Sequence, residues 1–118
     1  MKYLCLGYLN VHAFDALSKE QQRAYLEPCF SQCEVMRATG KIRAEEGLDM
    51  SQVRSIRPRK GRPHVTDGPY AETKEHVASY FVVEAGSIDE AVEIASLHPA
   101  ALFGEEYNFG LEVRPIRE

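Results

Sequence analysis

Two stretches, Lys2 to Tyr8 and Val77 to Ala85, carry apolar or aromatic side chains on both faces of an extended chain. Alternate residues of a strand point to opposite sides, so Tyr3 and Cys5 share one face while Leu4, Leu6 and Tyr8 share the other. In the later stretch Ser79, Phe81 and Val83 oppose Tyr80, Val82 and Glu84. A sheet built on such strands needs cover on both sides, which excludes a simple one-faced meander. The first run is too short to span a bilayer and lacks the layout of a signal peptide, so a buried strand in a cytoplasmic protein, with no membrane partner, is expected.

The stretches between them supply the cover. Asn10 to Asp15 reads as a connector, and Ser18-Lys19-Glu20-Gln21 as a capping box that opens a helix running to about Thr39, ended by Gly40 in a left-handed conformation. Pro28 removes a backbone bond inside that helix and predicts a kink or restart. Lys41 to Leu48 follows as a strand with Ile42, Ala44 and Leu48 on one side and a bulge at Gly47. Val53 to Arg57 and Arg62 to Thr66 flank Pro58-Arg59-Lys60-Gly61, which predicts a protruding hairpin. After Val77 to Ala85, Ser87-Ile88-Asp89-Glu90 is a second capping box. Its helix carries Ile88, Ala91, Val92 and Ala95 as an apolar stripe and closes at Pro99. Pro99 to Asn108 is expected to be irregular, and Phe109 to Ile116 to form a last strand. The order β-α-β, hairpin, β-α-β predicts an α+β fold of ferredoxin-like β-α-β-β-α-β type with an extra hairpin, in one domain spanning 1–118.

Both helices would then lie on one side of the sheet, leaving the other face to be covered by something else. The chain has 118 residues, 27% of them charged, with a formal net charge of -4, so no general attraction to nucleic acid follows. Three cysteines make a poor disulfide framework, and reduced thiols fit better. Cys29 and Cys33 sit one helical turn apart, a spacing open to a metal or redox pair but equally met by packing of small apolar groups. The chain has no Gly-x-Gly-x-x-Gly, P-loop, His-Glu-x-x-His or Gly-x-Ser-x-Gly motif, so no cofactor and no metal is expected.

The passage from His64 to Lys74 concentrates a turn signal with ionisable groups. Asp67-Gly68-Pro69 breaks the chain, and Asp67 suits either a turn-former or a catalytic carboxylate. The run Val65-Thr66-Asp67-Gly68-Pro69-Tyr70-Ala71-Glu72-Thr73-Lys74-Glu75 resembles the signature of the DGPF-domain proteins, a branch of the YCII-related superfamily. That resemblance implies a dimeric α/β barrel, in which two copies pack sheet against sheet, and pockets between sheet and helices or at the seam. It implies Glu72, Thr73 and Lys74 as ligand contacts, although surface charges near a turn are commonly just solvated.

His98, in a His-Pro pair similar to one frequent in the family, is a candidate acid–base residue beside Asp67, or a helix cap. His12 and Asp15 lie where relatives place an acid–base His and Asp. Ala78-Ser79 stands where the family commonly has a Gly-Gly pair. The activities implied are lyase- or isomerase-type proton transfers on a small oxygenated molecule. The family also implies an alternative, a non-catalytic module linked to sigma factors of RNA polymerase, with Arg54, Arg57, Arg59, Lys60 and Arg62 of the hairpin as the contact. Those arginines also suit protection of an exposed ribbon from edge pairing. Asp67 and His98 are expected to meet, with His98 held as imidazolium.

Overall fold

A computed structural model describes residues 1–118. The first strand, β1, spans Lys2–Asn10, and Asn10 Oδ1 accepts the Ala13 N–H at 3.2 Å. That cap opens a short helix, α1, Val11–Asp15, where the sequence suggests only a connector. Ser18 caps α2, Lys19–Arg37, by a reciprocal box: the Gln21 N–H donates to Ser18 Oγ, and the Ser18 N–H donates to Gln21 Oε1. The helix passes through Pro28 without restarting. Pro28 and Ala24, one turn back, are both exposed, so the carbonyl deprived of its bond faces water. Gly40 follows with φ of 72°, the left-handed exit that the sequence predicts.

Strand β2, Ile42–Gly47, pairs antiparallel with β5, Glu75–Glu84. Its bulge lies between Ile42 and Ala44 rather than at Gly47, and it reverses the expected alternation. Ile42 stands beside Val83 and Glu45 beside Phe81, so Ile42 and Glu45 share the helix side while Ala44 pairs with Val82 on the other. The hairpin comprises β3, Arg54–Arg59, and β4, Arg62–Asp67, and forms a two-stranded sheet of its own. Its turn is Lys60-Gly61, with φ of 52° and 75°, which matches the twist of the strands and takes Pro58 and Arg59 into the ladder.

Ser87 caps α3, Ile88–Ala95, accepting the Glu90 N–H at 3.1 Å. Ala91, Ile94 and Ala95 are its buried residues, whereas Ile88 and Val92 are 40% and 45% exposed. The buried stripe is therefore rotated from the one the sequence suggests. Pro99 starts a further short helix, α4, Pro99–Leu102, at a position where its missing N–H costs nothing. A 3-10 turn at Glu105–Tyr107 leads to β6, Gly110–Pro115.

The main sheet has the order β2-β5-β1-β6, with each neighbouring pair antiparallel. This is an α+β architecture whose strand order is compatible with a ferredoxin-like fold. The core lies on its helix side, where Tyr3, Cys5, Phe81 and Val83 meet Met36, Ala91, Ile94 and Ala95. Leu4, Leu6, Tyr80 and Val82 on the opposite face are only half-buried. No helix is long and apolar enough to cross a membrane.

Candidate functional site beneath the first long helix

Gly7 on β1 stands directly opposite Ser79 on β5, and a Cβ at Gly7 would collide with Ser79 Oγ. The missing side chain lets the Ser79 hydroxyl lie across the floor of a cavity of about 140 Å³ between the sheet and α2. Leu26 and Cys29 line it from α2, together with Phe109 and His98-Pro99-Ala100. Tyr25 completes the wall, its ring stacked on Phe109 at 5.4 Å and edge-on to Phe14 and Tyr107.

His98 is placed by two contacts. Its Nδ1 accepts the Ala100 N–H at 3.0 Å, which makes it the cap of α4 rather than the end of α3. Its ring stacks on Phe81, with centroids 4.8 Å apart and planes 9° from parallel. Burial pushes its pKa down to about 4, with Glu45 pulling weakly the other way. The imidazolium expected from the sequence is thus replaced by a neutral ring, because the site supplies an aromatic face and a backbone donor instead of a carboxylate partner.

Tyr25 carries a buried hydroxyl with no hydrogen-bond partner, and desolvation raises its pKa further above the ordinary phenol range. Cys29 donates its thiol to the Tyr25 carbonyl at 3.4 Å, and burial raises its pKa too. It is a packed thiol, not an activated one. A wider cleft of about 530 Å³ adjoins the cavity and shares Leu26, Ala78, Ser79 and Phe109 with it. Asp15 and Asp49 are the carboxylates of that cleft. Asp49 is held below the usual carboxylate range by the hydroxyl and N–H of Ser51.

The signature passage lies elsewhere. Asp67 ends β4, 88% exposed, and its carboxylate meets Arg54 Nε at 3.0 Å. Gly68, with φ of 98°, turns the chain back. Its N–H donates to the Val53 carbonyl at 2.8 Å and its carbonyl accepts the Ser55 hydroxyl at 2.6 Å. Arg57 lies over the Tyr70 ring, 4.3 Å from its centroid, and also donates to the Tyr70 carbonyl. Glu72 and Lys74 are exposed and form no ion pair, while Thr73 donates its hydroxyl to the Glu75 carbonyl at 2.6 Å.

Thr73 lines a second cleft of about 530 Å³, with Tyr8, Tyr70 and His76, and Leu48, Asp49 and Met50 stand between the two clefts. His12 is exposed on α1 and meets His76 edge-on at 6.2 Å. Asp67 and His98 therefore line no common cavity. The fold puts His98 and Asp15 on adjoining spaces, Thr73 on the second cleft, and leaves Asp67, Glu72 and Lys74 at the surface. Sequence reasoning passed over Tyr25, Leu26 and Phe109, which meet only through the tertiary fold. Gly7, a glycine inside an apolar strand, was the legible signal of a close approach.

A family model described as the YCII-related domain matches residues 1–118, the whole chain. An uncharacterized protein of Rhizobium meliloti (strain 1021) is 28% identical over 96 residues, which span 80% of this chain and 77% of that protein.

Proposed function

The chain belongs to the YCII-related family, and on that premise we propose that it binds a small oxygenated molecule beneath α2 and moves a proton on it. The cavity carries this reading: largely apolar walls enclose about 140 Å³, and Ser79, Tyr25 and His98 are among the residues that line it. A mostly apolar pocket with a few placed polar groups is the general form of a small-molecule site. Those three side chains orient the ligand. Asp15, which lines the adjoining cleft, is the carboxylate we assign as proton acceptor. Asp67 stays outside this reading because it sits on the exposed hairpin, paired with Arg54.

Two finer assignments accompany it. The passage Val65 to Glu75 supports membership of the DGPF branch. A homodimer joined through the helix-free face, as in a dimeric α/β barrel, is supported by area. The chain exposes 8250 Å², against roughly 6,450 Å² for a typical monomer of 13.3 kDa. The excess exceeds the ~800 Å² that each partner contributes to a standard interface. Three cysteines kept as thiols support a cytoplasmic setting. A second reading, a regulatory module that docks on transcription proteins, draws support from the basic hairpin, whose Arg54, Arg57, Arg59, Lys60 and Arg62 are all exposed.

Thermal unfolding with a panel of phenols, quinones, lactones and keto compounds separates the two. A ligand at 100 times its Kd adds about 2.7 kcal/mol to native stability and should raise Tm by several degrees. Leu26→Trp, which fills the cavity from α2, should abolish the rise. A panel without effect, together with hairpin-dependent capture of RNA polymerase or a sigma factor, would support the regulatory reading instead.

A further inference from the structure

Alternation along β3 and β4 gives the hairpin two unlike faces. Ser55 and Arg57 share the face turned to the Gly68–Tyr70 loop, where Ser55 is hydrogen-bonded and Arg57 is stacked. Ile56 and Val65, directly opposite each other in the ladder, share the other face and are 62% and 57% exposed. At the tip Arg59 stands directly opposite Arg62, with Lys60 in the turn between them. Like charges so placed repel, and no carboxylate pairs with any of the three. From Arg54 to Asp67 the chain holds five Arg or Lys and a single Asp, which Arg54 already pairs. A two-stranded ribbon whose apolar face is left bare is marginal in water.

The complementary surface lies along α3 and β6. From Gly86 to Gly110 the chain holds five Asp or Glu and no Lys or Arg. Ile88 and Val92 of α3, with Leu111 and Val113 of β6, line an apolar groove of about 490 Å³. β6 is an edge of the main sheet, with β1 its one neighbour, so no further strand closes that side. Asp89 and Glu93 each follow an exposed member of the α3 stripe by one residue, and helical spacing sets them along its outer rim. Both are exposed and form no ion pair.

We propose that the hairpin is an arm that two copies of this chain exchange, seating Ile56 and Val65 in the groove between α3 and β6 of the other copy and bringing Arg59, Lys60 and Arg62 to its α3 carboxylates. The exchange rests on the homodimer through the open sheet face, because one small contact of this kind is below the size of a stable interface. Two-fold symmetry makes it twice in each pair. Reach is sufficient: strands of six residues extend about 20 Å, while packed sheets stand ~10 Å apart, so the arm can pass the edge strand of a copy stacked on the open face. Area is sufficient too. The 8250 Å² exposed exceeds the roughly 6,450 Å² of a typical monomer by about twice the ~800 Å² that one partner gives to a standard interface. Exposed ion pairs add little stability, so the charges select the surface the arm takes and set the salt dependence of association.

Charge reversal on each side tests the exchange, with dissociation constants measured by analytical ultracentrifugation of the intact protein at low salt. Arg59→Glu with Arg62→Glu should weaken self-association at least tenfold, and so should Asp89→Lys with Glu93→Lys. An equimolar mixture of the two variants should recover wild-type affinity, because both arms of the mixed pair again meet opposite charge. Ile56→Ser with Val65→Ser should weaken association by a similar factor without rescue by either variant. Circular dichroism checks that each variant is folded, and Glu93→Lys alone replaces the double change if α3 is lost. A reversed arm that associates as the wild type does would assign the cations to another acidic partner and overturn the exchange. So would a mixture that fails to recover, with the sheet-face dimer left standing in both cases. A wild type that is monomeric at micromolar concentration would remove the dimer and the arms together.

Discussion

At the scale of residues, burial keeps His98 neutral down to about pH 4, so its charge couples to folding on the acid side. Its folded pKa lies below the unfolded value of about 6.5, so between those values the unfolded chain binds the extra proton. Its contribution is therefore complete above about pH 6.5 and lost as pH falls toward 4, on the order of 3 kcal/mol at most. Denaturant unfolding of wild type and His98→Asn across pH 4 to 7 should show a steeper acid loss in the wild type. A wild-type curve parallel to that of the variant would contradict a half-buried neutral ring. The sequence suggests the opposite sign, because a His-Pro pair after a helix reads as a cation at a C-terminus. The contacts that invert it, Phe81 and the Ala100 N–H, come from a strand and from a short helix that the sequence leaves irregular. Gly7 makes a second test, since Gly7→Ala forces a Cβ into Ser79 Oγ. A loss of roughly 1–3 kcal/mol is expected from overpacking, and Ser79→Gly in the same chain should restore most of it. Additive losses in that double-mutant cycle would mean that the two positions do not share the floor.

At the scale of elements, helix starts were legible because Ser18 and Ser87 carry their capping oxygens within the local sequence. The strands β1 and β5 were legible from their two-sided apolar alternation, whereas their pairing with each other appears only in the fold. The bulge in β2, the rotation of α3 and the helical turn at Pro99 were not legible, because each depends on what the element packs against. The hairpin was legible, and it also carries a prediction. Arg59, Lys60 and Arg62 are exposed and form no ion pair, so replacing all three by Ser should leave Tm nearly unchanged. Arg57 differs, since it holds the Tyr70 loop by a stacked guanidinium and a hydrogen bond. Arg57→Ser should speed amide exchange from Pro69 to Thr73 without lowering the global stability by more than about 1 kcal/mol. A loss of several degrees from the triple variant would mean that the hairpin packs on the body of the fold.

At the scale of the whole molecule, the shape is a thin slab of 47 × 43 × 18 Å. Its radius of gyration of 15.9 Å compares with about 13.5 Å for a compact chain of this length. The hairpin and the open sheet face account for the difference, and the face sets a prediction about assembly. Phe81 is in the helix-covered core and Val82 on the open face, so Phe81→Lys should unfold the chain, whereas Val82→Lys should yield a folded monomer from the homodimer we propose. Light scattering that finds the wild type monomeric at micromolar concentration would remove the dimer. The dimer leaves the cavity on the helix side untouched, so ligand binding beneath α2 can be tested directly. The decisive measurement is an amide proton–nitrogen NMR map recorded as the best-stabilising compound of the panel is titrated into the intact protein. Shifts should concentrate at Gly7, Ala78, Ser79, Ala100 and Phe109, and vanish in Leu26→Trp. Shifts confined to the hairpin, to the cleft at Thr73 or to the open sheet face would contradict a site beneath α2.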